Sequence, residues 1–394
     1  MEQESDSKKV LSNPNFRIIL GIVVMAVIGG SMVAPILPSM VEPLRTDNEM
    51  IGLVMSVYTF CALLSTPLHG VLADRLGRKK VLVPALVLYG LSGFTIAFAK
   101  EFYFVLILRG LQGVGAAGMM GLGVTLIGDI FKEKARAVAM GYRSSAQSFF
   151  NVGMPFISGA IATITWFYPF LIYVLALPLS LWVALRLKVD ETTSRSTLRH
   201  YFQSIATVMK DKKTLWVYIS VFFIFVFLYC MIVYGPILVV EELNRSTLYT
   251  GMLLSVGSAM AAITATQAGK LFFRFRNYQI IAFGFLLGGL SLTMMSFSIS
   301  YAWLLGGIII WGSGFGLVFP ALNTIVTELV SSHLRAGVVA GFQVMVYIGQ
   351  TVSPPLFGFI LSKSNLQTLF LTAGMLTLIP IAFTLFMHFA YRKV

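Results

Sequence analysis

The chain has 394 residues, of which 57% are hydrophobic and only 11% are charged, and its mean hydropathy is +0.84. Soluble globular proteins carry about 25% charged residues, so this composition excludes an ordinary soluble fold and predicts a membrane protein. The formal net charge of +13 comes from basic residues that flank apolar stretches rather than from one basic face, which argues against nucleic-acid binding.

Twelve apolar stretches are long enough to cross a bilayer as helices. They cover residues 16–40, 51–72, 81–99, 102–131, 137–164 and 167–187, then residues 214–241, 249–273, 279–298, 302–329, 336–361 and 366–389; we number them spans 1 to 12. The first 15 residues are polar and lack a signal-peptide cleavage pattern, so span 1 is predicted to be an uncleaved helix. Residues 188–213 are predicted to link two six-helix bundles, residues 1–187 and 214–394.

Basic residues are distributed unequally between the two sets of loops. Loops on the side of the termini hold most Lys and Arg residues, whereas the opposite loops hold Arg45, Lys100, Arg245 and Lys363. Basic loops of membrane proteins remain in the cytoplasm. We therefore predict a multi-pass protein of the plasma (inner) membrane with both termini in the cytoplasm.

A shift of 199 residues aligns unusual residues of the two halves. It relates Gly70 to Gly269, Gly113 and Gly115 to Gly312 and Gly314, Asp129 and Arg136 to Glu328 and Arg335, and Pro155 and Gly159 to Pro354 and Gly358. Self-similarity at one fixed offset indicates a duplicated structural unit. Two parallel repeats of membrane helices are typical of secondary transporters, whose substrate site lies between the repeats.

The loop between spans 2 and 3 carries a compact motif, Gly70-Val-Leu-Ala-Asp74-Arg75-Leu-Gly77-Arg78-Lys79-Lys80. We expect Gly70 to allow close helix approach and Gly77 to adopt a positive φ, with the basic cluster at the anionic leaflet. The motif resembles the G-x-L-a-D-R-x-G-r-k-x signature of the major facilitator superfamily. That resemblance implies that Asp74 lies near the start of span 11 and near Arg136, as part of a conformational latch.

Span 4 contains a second motif, Arg109-Gly-Leu-Gln112-Gly113-Val-Gly115-Ala-Ala-Gly118, which resembles R-x-x-q-G-x-g-a of the drug:proton antiporters in the same superfamily. Arg109 lies roughly 10 Å below the outer end of its helix. A charge at that depth is costly unless it is paired or faces water. We predict a role in substrate binding or transport; the alternative is an arginine bound by backbone carbonyls of span 1 near Gly29.

Span 5 contains Asn151-Val-Gly-Met154-Pro155-Phe-Ile-Ser158-Gly159, which resembles the antiporter motif g-x-x-x-G-P-x-x-G-G. Met154 and Ser158 stand where that motif has glycine, a departure that weakens the case for strict antiport. Proline and small residues permit bending and close packing of membrane helices. We therefore assign Pro155 and its counterpart Pro354 to a conformational gate.

Uncharged amides occupy the middle of spans 5 and 11. Asn151 and Gln350 are again 199 residues apart, and Gln147 and Tyr347 share their faces at helical spacing. These four residues are predicted to bind substrate, together with Arg109, Tyr58 and Tyr234. The alternative for the amides is hydrogen bonding that holds helices together.

Two acid–base pairs lie at equivalent places in the repeats. Asp129 with Arg136, and Glu328 with Arg335, are predicted to form an inner gate, together with Gly70, Asp74, Arg75, Gly77, Arg78, Pro155 and Pro354; plain interfacial ion pairs are the alternative. No Asp or Glu lies in the middle of a span. Glu241, Glu242 and Asp129 are therefore the candidates for proton coupling, with solvated helix ends as the alternative for the glutamates.

The resemblance implies an all-α membrane protein with twelve helices in two pseudosymmetric bundles, the major facilitator fold. The sequence has no phosphate-loop, zinc-ligand or nucleophile-elbow spacing, so no enzyme activity, cofactor or metal is predicted. The first hypothesis is proton-coupled efflux of amphipathic small molecules or drugs by a monomer in the bilayer. The alternatives are a carrier of an anionic metabolite, suggested by Arg109 and the missing internal acids, and a nontransporting sensor.

Overall fold

The computed structural model describes residues 2–189, 209, 211–328 and 335–391, and this part of the chain contains twelve long helices. They are α1 (Pro14–Val41), α2 (Leu53–Leu76), α3 (Arg78–Phe98), α4 (Phe102–Ile130), α5 (Glu133–Ala162), α6 (Tyr168–Arg186), α7 (Lys212–Glu241), α8 (Thr247–Arg274), α9 (Asn277–Met295), α10 (Tyr301–Glu328), α11 (Arg335–Lys363) and α12 (Leu366–Phe389). A short helix, Glu2–Ser12, precedes α1 and packs on α5. The predicted fold class is confirmed.

Helix α5 differs from the other eleven in composition. Eleven described helices are long and apolar enough to cross a membrane, and α5 is not among them although it has 30 residues. Its middle holds Arg143, Gln147, Asn151 and several serines, which lower its hydropathy. A helix of this length with a polar side suits a position that borders water rather than one surrounded by lipid.

The predicted repeat is visible in how α4 and α10 pack. Gly113 lies so close to the backbone of Tyr58 in α2 that no side chain would fit, and a Cβ on Gly115 would lie 2.6 Å from the carbonyl oxygen of Ala85 in α3. The same contacts recur 199 residues later, between Gly312 and Gly257 and, again at 2.6 Å, between Gly314 and Gly284. Small residues at these positions let three helices of each half approach backbone to backbone.

The two halves meet mainly through two equivalent helix pairs, α2 with α11 and α5 with α8. We call the face with the α2–α3 turn the inner face and the opposite face the outer face. Gly159 of α5 packs on Gly251 of α8, where a Cβ on Gly159 would lie 3.0 Å from the Gly251 Cα. Gly52 and Gly358 occupy the positions related to these by the 199-residue shift. A Cβ on Gly52 would lie 2.8 Å from the Pro354 Cβ.

Toward the inner face the halves separate. A Cβ added to Gly70, Gly141 or Gly269 would meet no atom within 4 Å. Ser144 of α5 and its repeat counterpart Gln343 of α11 are both exposed. The molecule is therefore closed at its outer ends and open at its inner face. The prediction that Gly70 provides close helix approach is wrong for this conformation, because no neighbouring helix lies against it.

Candidate transport pathway

Arg109 is completely buried within the first half. Its Nε donates to the carbonyl oxygen of Val54 (3.1 Å), and its Nη1 donates to the carbonyl oxygen of Gly29 (3.1 Å) and to Oε1 of Gln112 (2.7 Å). The guanidinium also lies 4.2 Å from the ring centroid of Tyr58, a cation–π contact. Its donors are thus bound by α1, α2 and α4, and in this conformation the group is not exposed to solvent.

Aromatic side chains from both halves meet beside Arg109. Tyr58 of α2 lies near Tyr229 of α7 and Tyr347 of α11. The Tyr347 hydroxyl also contacts Sδ of Met120 in α4 at 3.8 Å. All three tyrosines are buried. Two predicted site residues, Tyr58 and Tyr347, therefore lie together where the halves converge, next to the soft, polarisable methionine sulfur.

The mid-membrane amides have a different environment. Gln147, Asn151 and Gln350 are half-buried, and none has a hydrogen-bond partner among the described residues. None of their amide atoms belongs to the buried polar atoms that lack a partner, so these groups remain accessible to solvent. In this conformation the amides are available to a ligand and do not join helices to one another.

Tyr234 and the two gate prolines lie at the outer contact. The Tyr234 hydroxyl donates to the carbonyl oxygen of Pro354 (2.7 Å). Pro155 lies against Gly251. Hydrogen bonds reinforce the contact, since Ser56 donates to the carbonyl oxygen of Thr351 (2.9 Å), Thr247 to that of Gly159 (2.9 Å) and Thr250 to that of Pro35 (2.7 Å). Tyr234 is thus part of the outer closure, and its bond partner Pro354 lies one turn of α11 beyond Gln350.

At the α2–α3 turn Gly77 has φ 95° and ψ 143°, which confirms the predicted positive φ. Asp74 interacts electrostatically with Arg78, and Arg75 is exposed. Arg78 also donates to the carbonyl oxygen of Thr125 (3.2 Å). This turn is therefore joined to the inner end of α4.

The ion pair of Asp129 differs from the predicted one. Asp129 pairs with Arg78 and not with Arg136. The Arg136 guanidinium packs over Gly128, where a Cβ added to the glycine would lie 3.3 Å from Nη2 of the arginine. The reason is the sharp α2–α3 turn, which brings Arg78 to the end of α4. The side chains of Glu328 and Arg335, the predicted second pair, lie outside the described residues.

The candidates for proton coupling occupy helix ends. Glu241 is the last residue of α7, and both Glu241 and Glu242 are exposed. Asp129, at the inner end of α4, is engaged by Arg78. Among the described residues, no group of three or more His, Cys, Asp or Glu side chains could hold a metal ion.

One charged residue of the pathway, Arg143, was not among the site residues predicted from the sequence. Arg143 lies in α5 one turn before Gln147, and its Nε is buried without a hydrogen-bond partner. The sequence carries a signal for it, because Arg143 is, like Arg109, an arginine inside a predicted span, where a charge is costly unless it is paired or faces water.

Comparison with known proteins agrees with this architecture. The family model described as Major Facilitator Superfamily matches residues 19–346. The chain belongs to the major facilitator superfamily. It is therefore a multi-pass membrane transporter rather than an enzyme.

Relatives of the chain include exporters. It is similar to the Bacillibactin exporter of Bacillus subtilis (strain 168), with 27% identity over 376 residues that cover 91% of this chain and 92% of that protein. It is also similar to the Quinolone resistance protein NorA of Staphylococcus aureus, with 32% identity over 145 residues, 36% of this chain and 37% of NorA. The fold resembles that of the nucleoside transporter NupG, with a TM-score of 0.83, 13% identity, and coverage of 95% of this chain and 100% of that chain.

Proposed function

We propose that this transporter exports amphipathic small molecules from the cytoplasm by alternating access. The observation that carries the proposal is the arrangement around the amides: unpaired Gln147, Asn151 and Gln350 border a space that is open at the inner face and closed at the outer one. Soft aromatic and methionine side chains at the closed end suit apolar parts of varied substrates. The basic loops predict that the inner face is cytoplasmic, so this state would load substrate from inside.

The names of the relatives support the direction of transport. Both the Bacillibactin exporter and NorA are named for removing compounds from a cell or for resistance to them. The first of these similarities extends over nearly the whole chain. Export is therefore a better proposal than uptake.

In the proposed cycle, the helix pairs that now close the outer face also close the inner face, through small residues five turns further along the same helices. Gly141 lies 18 residues, or five turns, before Gly159, and Gly269 lies 18 residues after Gly251. Since α5 and α8 run antiparallel, Gly141 and Gly269 both lie about 27 Å inward of the Gly159–Gly251 contact. Each lies on the face of its helix that makes that contact. The repeat gives the second pair, Gly70 of α2 with Ala340 of α11.

Rocking of the halves, residues 1–187 and 214–394 joined by 188–213, would then exchange one set of small-residue contacts for the other. The Arg78–Asp129 pair holds the α2–α3 turn to α4, so this end of the first half would move as one unit. We propose proton coupling with Asp129, Glu241 and Glu242 as the candidate carriers.

Accumulation of fluorescent dyes in cells tests export. Cells that contain the protein should retain less of an amphipathic dye than cells that lack it, and dissipating the proton gradient should remove the difference. Equal retention in both cells across a panel of dyes would refute export. A persistent difference without a proton gradient would refute proton coupling alone.

A further inference from the structure

Arg143 is an unpaired cation inside the membrane. Its Nε is buried, and within the described part of the chain it has neither a hydrogen bond nor an ion pair. Arg109, the other arginine that lies at least seven residues from the ends of a described membrane helix, has three oxygen acceptors and a tyrosine ring. The two arginines are therefore not equivalent, because the terminal amino groups of Arg143 are unpaired and are not buried, whereas Arg109 is bound and completely buried.

Arg143 lies so deep in the membrane that its unpaired charge is energetically costly unless a ligand binds it. The residue lies ten positions after Glu133, the first residue of α5, and therefore about 15 Å from the inner end of the helix. The hydrocarbon core is about 30 Å thick and α5 is about 45 Å long, so Arg143 lies inside the core. A charged group at this level must face water, a counter-ion or a polar partner.

The faces of α5 show which of these it meets. Phe149 is 73% exposed, and Phe156, two turns later on the same side, is also exposed, so this side is apolar and suits lipid. Arg143, Gln147 and Asn151 recur every four residues on another side of the helix and are half-buried. Arg143 is therefore the inner end of a polar stripe about 12 Å long that leads to the predicted substrate amides.

No acid neutralises this stripe from within the helices. Among the described membrane helices, every Asp and Glu lies within three residues of a helix end, whereas Arg109 and Arg143 lie at least seven residues inside. The charge of Arg109 is buried and bound. The remaining local field is positive and centred on the guanidinium of Arg143, which presents a planar set of donors that matches an acidic group.

We propose that Arg143 binds the acidic group of the transported molecule, so that the pathway selects amphipathic organic anions over neutral compounds of the same shape. The inference rests on the proposed export function and names its substrate class. The amides of Gln147 and Asn151 would bind polar groups further along the same molecule, and the tyrosines would contact its apolar part.

Two naphthalene probes separate charge from shape. 1-Anilinonaphthalene-8-sulfonate and N-phenyl-1-naphthylamine share one ring system, and only the first carries a sulfonate. Binding to the purified full-length protein is measured by energy transfer from its tryptophans. The variants are Arg143→Gln, Arg143→Lys and, as a control for the loss of one positive charge, Arg186→Gln in the exposed last turn of α6.

The wild type should bind the sulfonate more tightly than the neutral probe. Arg143→Gln should weaken sulfonate binding roughly ten- to hundredfold, the range for one charge-assisted contact, and leave binding of the neutral probe within about twofold. Arg143→Lys should retain part of the preference, and Arg186→Gln all of it.

Equal affinity of the wild type for both probes would overturn the proposal without any variant, as would an equal loss of both probes in a folded Arg143→Gln protein. Export of the neutral probe with no preference for the sulfonate would leave the exporter function intact and refute the role of Arg143. Failure of the protein to transport either probe in reconstituted vesicles would refute both the export function and the role of Arg143.

Discussion

Replacing single glycines by alanine should shift the balance between the two conformations in opposite directions. Gly159→Ala adds a methyl group at the outer contact, where it would lie 3.0 Å from the Gly251 Cα and closer still to the backbone oxygen of Thr247. Gly141→Ala adds the same group where nothing lies within 4 Å. Both changes alter helix propensity equally, so the difference between them reports the contact alone.

The expected size follows from overpacking. Forcing a methyl group into a filled backbone contact costs about 1–3 kcal/mol. In Gly159→Ala this penalty falls on the present, inner-open state. It should lower the population ratio of inner-open to inner-closed protein roughly 5- to 150-fold. In Gly141→Ala the penalty falls on the proposed inner-closed state, and the inner-open population should rise.

The assay is the rate at which a cysteine at Ser144, now exposed, reacts with a water-soluble maleimide. The native cysteines, half-buried Cys61 and buried Cys230, are first replaced so that the maleimide reacts only with the introduced cysteine. We expect slower labelling in Gly159→Ala and equal or faster labelling in Gly141→Ala. Changes of the same sign in both variants would refute the five-turn register.

Three further predictions concern the pathway and its latch. Arg109→Ala should lower the stability of the purified protein by about 3 kcal/mol, because several buried acceptors lose their donor; an unchanged melting temperature with lost transport would instead indicate direct substrate contact. A double-mutant cycle on thermal stability should give about 1 kcal/mol of coupling between Asp129 and Arg78 and less between Asp129 and Arg136, and the reverse order would contradict the observed pairing. Gln350→Leu should raise the apparent KM of bound substrates by roughly tenfold at unchanged melting temperature, whereas a fall in melting temperature without a change in KM would assign the amide to helix packing.

Much of the architecture follows from patterns that the chain carries locally. Spans of apolar residues predict the helices, and the 199-residue shift predicts that α5 with α8 and α2 with α11 are equivalent pairs. Gly113 and Gly115 recur as Gly312 and Gly314 because each one permits a backbone contact within its own half. Such contacts lie within one half and do not depend on how the two halves are arranged, so the repeat is a sufficient guide to them.

Other features depend on the conformation or on the path of the chain. Gly70 has no neighbour here because its proposed partner, Ala340, belongs to the other half, and the halves are apart at the inner face. Asp129 pairs with Arg78 because the positive φ at Gly77 turns the chain back toward α4, and spacing along the sequence favoured Arg136 instead. The contrast between a bound Arg109 and an unpaired Arg143 requires the positions of neighbouring carbonyl groups, which the sequence does not specify.

The most direct test of the account is a reversible cross-link at the proposed inner contact. In a cysteine-free background, Gly141→Cys with Gly269→Cys should form a disulfide whenever the inner face closes, because the register brings their Cα atoms within the range that a disulfide spans, about 4.4–6.8 Å. Oxidation should stop dye transport in reconstituted vesicles, and a reducing agent should restore it. Continued transport by fully cross-linked protein, or transport without any cross-linking under oxidising conditions, would contradict alternating access by exchange of these contacts.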